Sequence, residues 1–313
     1  MVLPMPVMLT EGSVVERLRR HPEVRLDPHV AHAALLYDSA GARIMGDIWR
    51  EYLAIGRQAN LPMLILTPTW RATAERLARA GLAGRDVNGD AVRFLGALRR
   101  EQADYAARVQ VGGLMGCRGD CYLPAEALAE EQAVQYHAAQ AESLARAGAD
   151  LLFASTLPAL CEACGMARAM AGRGVPYLLS FVVAREGALL DGTPLGEAIR
   201  RIDGIVSPPP LGYLANCIHT SIFAAALRRL EPALRPRVLG LQANTSSKTP
   251  AEFDGLPCLD TEPPDAFAQA MAALHAEFGL RILGGCCGTD GSHIRALAGR
   301  LTFRYETTVP TAP

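Results

Sequence analysis

The chain has 313 residues and a formal net charge of −1; half of the residues are hydrophobic and a fifth are charged. That balance describes a globular protein without a basic footprint for nucleic acid, and no apolar run is long enough to span a bilayer. With no basic segment and secretory apolar core at the N-terminus, the expected compartment is the cytoplasm, where eight cysteines serve as metal ligands or reduced thiols rather than as a disulfide framework.

Short apolar runs alternate with helix-compatible segments, the pattern of repeated βα units around a parallel sheet. The expected strands are 7–9, 63–66, 109–111, 151–153, 177–182, 211–215, 238–241 and 281–283. After the first strand comes a long helical region, 27–58, which Ser39-Ala40-Gly41 is placed to divide. Segments 124–147 and 265–278 carry apolar residues at helical spacing. Gly148, Gly174 and Gly279 follow helical segments, where left-handed stops are common. Segment 244–264, rich in Pro, Ser, Thr and Asp, reads as an extended loop over one end of the sheet. Eight βα units in about 300 residues point to a (β/α)8 TIM barrel, one domain over 1–313. No Gly-x-Gly-x-x-Gly fingerprint opens a helix, which counts against a doubly wound sheet.

Near the C-terminus the chain reads Leu283-Gly284-Gly285-Cys286-Cys287-Gly288-Thr289. In a regular strand adjacent side chains point to opposite faces, so both thiols could not reach one ion. Flanking glycines let the backbone leave strand geometry and turn both sulfurs to one point. A third thiol, Cys217 of Asn216-Cys217, would complete three ligands to Zn²⁺ and leave one tetrahedral position open, as catalytic zinc is held. The rival readings are a vicinal redox disulfide or two inert buried thiols. A barrel favours the metal, because catalytic groups gather from the C-terminal ends of different strands, here the sixth and the eighth.

With these residues the chain resembles the homocysteine S-methyltransferase family over nearly its whole length. The resemblance rests on Gly284-Gly285-Cys286-Cys287-Gly288-Thr289 followed by His293-Ile294, and on Asn216-Cys217; Leu179-Ser180-Phe181, Asp191-Gly192-Thr193-Pro194-Leu195 and Asn244 support the register. It implies a zinc-dependent methyltransferase in which Cys217, Cys286 and Cys287 are the thiolate ligands and catalytic centre, and homocysteine takes the open position to become methionine. Glu11, Gly12, Ser13, Thr67, Trp70, Ser155, Asn216 and Asn244 are the matching substrate-binding positions. The implied partners are a small-molecule thiol and a methyl donor, with no nucleic acid and no membrane; homo-oligomerisation stays open. A self-contained sulfonium or ammonium-type donor is the simplest source of the methyl group, since no cobalamin- or folate-binding domain follows the barrel, and a separate corrinoid protein is the alternative.

Three positions depart from the family pattern. Glu11-Gly12-Ser13 stands for Asp-Gly-Gly, and Thr67-Pro68-Thr69-Trp70 for Thr-Asn-Thr-Tyr. Ala154-Ser155-Thr156 stands for Phe-Glu-Thr, removing the glutamate that helps hold the homocysteine amino group; a hydroxyl cannot supply that charge-assisted contact. Glu11, one methylene longer than aspartate, is placed to compensate, and Trp70 either forms an aromatic wall for a cationic donor or simply packs beneath a barrel loop. The alternatives are another small thiol as acceptor, or a non-catalytic zinc-binding barrel serving as an accessory subunit. Cys161 and Cys164 sit in a helical segment without a second pair and read as structural. Cys117 and Cys121 flank Arg118-Gly119-Asp120 near the barrel mouth and read as loop thiols, with substrate contact as the alternative, and Cys258 reads as incidental. His219 either supports Cys217 or contacts backbone at a helix start.

Overall fold

The computed structural model describes residues 7–248 and 261–308. Eight strands pair in parallel in sequence order, and the first closes on the last: β1 Met8–Thr10, β2 Met63–Leu66, β3 Val109–Gly116, β4 Leu151–Leu157, β5 Tyr177–Phe181, β6 Gly212–His219, β7 Val238–Asn244 and β8 Ile282–Gly285. The expected (β/α)8 barrel is thus the fold. The strands read as unbroken apolar runs because both faces are buried. One face, with Leu64, Leu66, Leu151, Phe153, Leu178, Leu214 and Ile282, fills the interior, while Leu9, Ile65, Leu152, Leu179 and Leu283 pack with the core beneath the surrounding helices.

Several boundaries differ from the expectation, each for a local reason. The break in 27–58 lies at Asp38, whose side chain accepts from the Gly41 N–H and caps the helix Ser39–Gln58; a 3-10 turn, His32–Tyr37, precedes it. Segment 124–147 begins as the 3-10 turn Pro124–Glu126, and its α-helix spans Glu130–Arg146. Gly148, Gly174 and Gly279 do take positive φ. β6 does not end at residue 215 but runs through Cys217 to His219. Residues 249–260 of the expected loop, Cys258 among them, lie outside the described residues. Among the described residues no helix is long and apolar enough to cross a membrane.

Candidate functional site

Toward the C-terminal ends of the strands the barrel interior changes from apolar to polar. Continuing the alternation past the leucine layer brings Thr10, Ser155, Ser180, Asn216 and Gln242 to the inner face, all buried. Gln242 Nε2 donates to Thr10 Oγ1 at 3.1 Å, across the β7–β8–β1 seam. Asn216 is the hub. Its Oδ1 accepts from the Thr156 N–H at 3.0 Å and the Ser180 hydroxyl at 2.6 Å; its Nδ2 donates to Thr156 Oγ1 at 3.1 Å and to Cys217 Sγ at 3.4 Å.

Alternation alone would aim Cys217 outward. It points to the mouth because β6 carries a bulge there: Asn216 pairs with Gln242 and Ile218 with Ala243, leaving Cys217 as the extra residue at φ 55°. β4 repeats the device, with Thr156 at φ 62° where its register against β5 slips. A non-glycine residue in this region is strained, and here Asn216 ties the two bulges to each other.

Beyond β8 the chain turns at once. The Cys286 N–H donates to Ala243 O at 2.8 Å, the Thr245 N–H to Cys287 O at 3.2 Å, and Thr289 Oγ1 to Cys286 O at 2.6 Å. Gly288, at φ 83°, donates its N–H to Glu16 Oε2. This loop gathers the sulfurs of Cys217, Cys286 and Cys287 within 4.8 Å of one another. Zn–S bonds of about 2.3 Å in a tetrahedron require sulfurs about 3.8 Å apart, so the set has the chemistry for a thiolate-bound metal once Cys217 and Cys286 are reduced and move apart. Cys217 and Cys286 stand in disulfide contact, Cα atoms 5.5 Å apart, and Cys287 is a free thiol.

The electrostatics favour a cation at this point. Cys287 is exposed as a residue, yet loss of hydration at its sulfur pushes the thiol up to about 11, with Glu16 adding to it and Arg19 opposing. A thiolate there at neutral pH therefore needs a positive partner. At the end of β7, Asn244 Oδ1 and Thr245 Oγ1 are buried without a hydrogen-bond partner among the described residues. Two orphaned oxygens beside three gathered sulfurs mark a polar site built for a guest.

The other expected positions fall into two groups. Gly12 and Ser13 join the cysteine loop: the Ser13 N–H donates to Thr289 Oγ1 at 3.0 Å, and Gly12 packs against Tyr52 and Thr289. Ser155 is buried at the end of β4, its hydroxyl 3.2 Å from that of Thr156. Glu11 is already engaged: both carboxylate oxygens lie 3.0 Å from the Leu66 N–H, replacing the rung that β1 would have supplied. Burial raises the pKa of this carboxyl well above the ordinary range, against the Leu66 bond that lowers it. Thr67 is likewise committed, accepting from the Leu114 N–H at 2.8 Å. Trp70 lines a mouth cleft of ≈ 500 Å³ between the loops after β1, β2 and β3. A cation does stack on its ring, but it is the protein's own Arg71, 4.2 Å from the centroid. His219 accepts from the Ser221 N–H at 3.2 Å and pairs with Glu262 at 2.5 Å, so it both caps a helix and anchors the chain returning from residue 260.

Cys121, expected near the barrel mouth, is buried in the loop after β3 and its thiol is raised to about 12. Its neighbour Tyr122, whose hydroxyl is also raised by burial, was not read from the sequence. The polar inner layer was also missed, although a period-two reading of β5, β6 and β7 would have aligned Ser180, Asn216 and Gln242.

These features define a parallel (β/α)8 barrel with a metal-competent three-thiol centre at its C-terminal face. The family model for homocysteine S-methyltransferases matches residues 8–301, and the chain belongs to that family. It is 22% identical to the homocysteine S-methyltransferase YbgG of Bacillus subtilis, with 94% of each chain covered. It is 32% identical over 179 residues to the methionine synthase of Mycobacterium leprae, a match covering 52% of this chain but only 14% of that protein. Among solved structures, the metallated form of the homocysteine methyltransferase MmuM from Escherichia coli shares the fold, with a TM-score of 0.73, 23% identity and coverage of 95% of this chain and 96% of that one.

Proposed function

We propose that this protein is a zinc-dependent thiol S-methyltransferase that converts homocysteine to methionine. The carrying observation is the convergence of Cys217, Cys286 and Cys287 from two separate strand ends onto one point at the barrel mouth. Zinc held by these three thiolates would take the acceptor sulfur as its fourth ligand and keep it deprotonated at neutral pH, where a free thiol with pKa ~8.5 is mostly protonated.

The chain's own groups supply the geometry. Asn216 fixes the direction of Cys217, and the loop bonds at Thr245, Thr289 and Glu16 fix Cys286 and Cys287. The buried hydroxyls of Ser155 and Thr156, 3.2 Å apart, would border the acceptor. Methyl transfer forms a bond from the acceptor sulfur to the methyl carbon as the bond to the donor's positive centre breaks, so a sulfonium or ammonium donor leaves neutral. The kinship with methionine synthase supports a corrinoid protein as the alternative source of the methyl group.

One observation favours a second acceptor. Ser155 holds the place of the family's glutamate, and Glu11, the nearest substitute by sequence, spends its carboxylate on the Leu66 N–H. A small thiol without an amino acid head group fits that change. Zinc-edge X-ray absorption on the reduced protein separates the readings. Three sulfurs rising to four with homocysteine supports methionine formation. Three sulfurs indifferent to homocysteine selects another thiol, and failure to load zinc refutes the mechanism. A Ser155→Glu variant that uses homocysteine better than the wild type would likewise show that the native pocket serves a different acceptor.

A further inference from the structure

Between the cysteines of Cys161-Glu162-Ala163-Cys164 stands a carboxylate with no part in the chemistry above. The helices Glu130–Arg146 and Leu160–Ala171 meet at Gly165, where an added Cβ would lie 2.4 Å from both Ala133 Cβ and Glu130 O. This close approach buries Glu162 against His137, and both side chains are 0% exposed. Three N–H groups converge on the carboxylate. Oε1 takes the Arg118 N–H at 2.7 Å and His137 Nε2 at 2.9 Å, and Oε2 takes the Leu128 N–H at 3.2 Å. Arg118 and Leu128 bracket the loop after β3. One buried side chain thus holds both ends of the nine-residue excursion 119–127 at the barrel rim.

That excursion is a wall of the candidate site. Gly119, Asp120 and Glu126 line the mouth cleft with Trp70. The opposite wall depends on the same loop: Arg71 donates to Gly119 O at 2.7 Å and Arg76 to Arg118 O at 2.8 Å. We propose that Glu162 is a positioning residue for the mouth of the barrel: with His137 it sets the loop after β3, and through that loop the cleft lined by Trp70. Glutamine is not equivalent. An amide presents one acceptor oxygen and one N–H₂ group, so at least one of the three converging N–H donors would face another donor.

The kinetic part of the test rests on the methyltransferase reading; the chemical part does not. In the reduced protein as purified, Cys121 alkylation by iodoacetamide is followed residue by residue by mass spectrometry, and KM and kcat for methyl transfer to homocysteine are measured separately on the zinc-loaded protein. Glu162→Gln is expected to raise Cys121 reactivity at least tenfold and to raise KM more than it lowers kcat, with zinc content unchanged. His137→Gln, which keeps an N–H at the imidazole position, should stay near the wild type, while His137→Leu should follow Glu162→Gln. A folded Glu162→Gln protein with Cys121 as protected as in the wild type and KM unmoved would overturn the inference. Should that variant fail to fold, His137→Leu decides, because it leaves both backbone bonds in place; unchanged Cys121 protection there overturns it equally. A wild-type protein inactive on homocysteine would count against the acceptor assigned above and leave the alkylation result to decide the role of Glu162.

Discussion

Replacing Gly288 by alanine tests whether the glycines around the cysteine pair are there for geometry. Gly288 sits at φ 83°, and an added Cβ would lie 1.9 Å from Thr245 Oγ1. A non-glycine residue in the left-handed region costs about 1–2 kcal/mol. Forcing a methyl group into an occupied site adds about 1–3 kcal/mol, so Gly288→Ala should lower stability by about 2–5 kcal/mol. The two parts separate. Thr245→Ala removes the obstructing hydroxyl, so the double variant should recover the steric part and keep the backbone part. Guanidinium unfolding of the metal-free, reduced proteins measures the total, and competition with a chromophoric chelator measures zinc affinity. That affinity should also fall, because the displaced loop carries Cys287. A single variant within about 0.5 kcal/mol of the wild type, or a double variant no more stable than the single, would refute the reasoning; surface-like tolerance of that size is not expected at a crowded, strained position.

Two further outcomes follow from the geometry. Asn216→Asp keeps the acceptors for Thr156 and Ser180 but removes the donor to Cys217 and sets a negative charge beside its sulfur; zinc affinity should drop 10–100-fold, the usual effect of losing a support behind a ligand, and equal chelator competition in variant and wild type would show that Asn216 is only a strut. His32, 3% exposed, has its imidazole pulled from 6.5 to about 4 by burial. A depressed folded pKa means that the unfolded chain takes up the proton first as pH falls, so stability is whole above 6.5 and is lost on the way down to 4. At pH 4.5 the loss amounts to about 2.5 kcal/mol. Urea unfolding at pH 7 and 4.5 should show the wild type losing that much more than His32→Gln, and parallel losses would contradict a buried neutral imidazole.

The barrel was legible because each strand is a short, doubly buried apolar run and each helix repeats at 3.6 residues, signals carried within a few neighbours along the chain. The three-thiol cluster was legible for a different reason: adjacent cysteines among glycines have little use in packing, and the paired motifs around Cys217 and Cys286 are specific to one family. What local pattern could not decide was direction and pairing. Asn216-Cys217 reads as the end of a strand, and only the register against β7 makes Cys217 a bulge residue whose sulfur turns to the mouth. Glu11 reads as a substitute for a missing carboxylate, and only the early end of β1 gives that carboxylate to the Leu66 N–H. Trp70 reads as a wall for a cation, and only the folded loop puts Arg71 on its ring. Glu162 reads as an ordinary helix residue until Gly165 lets two helices close over it. Residue type and spacing set what each element can be. Which partner satisfies a buried polar group depends on chain segments tens of residues away, and that was settled only when the barrel closed.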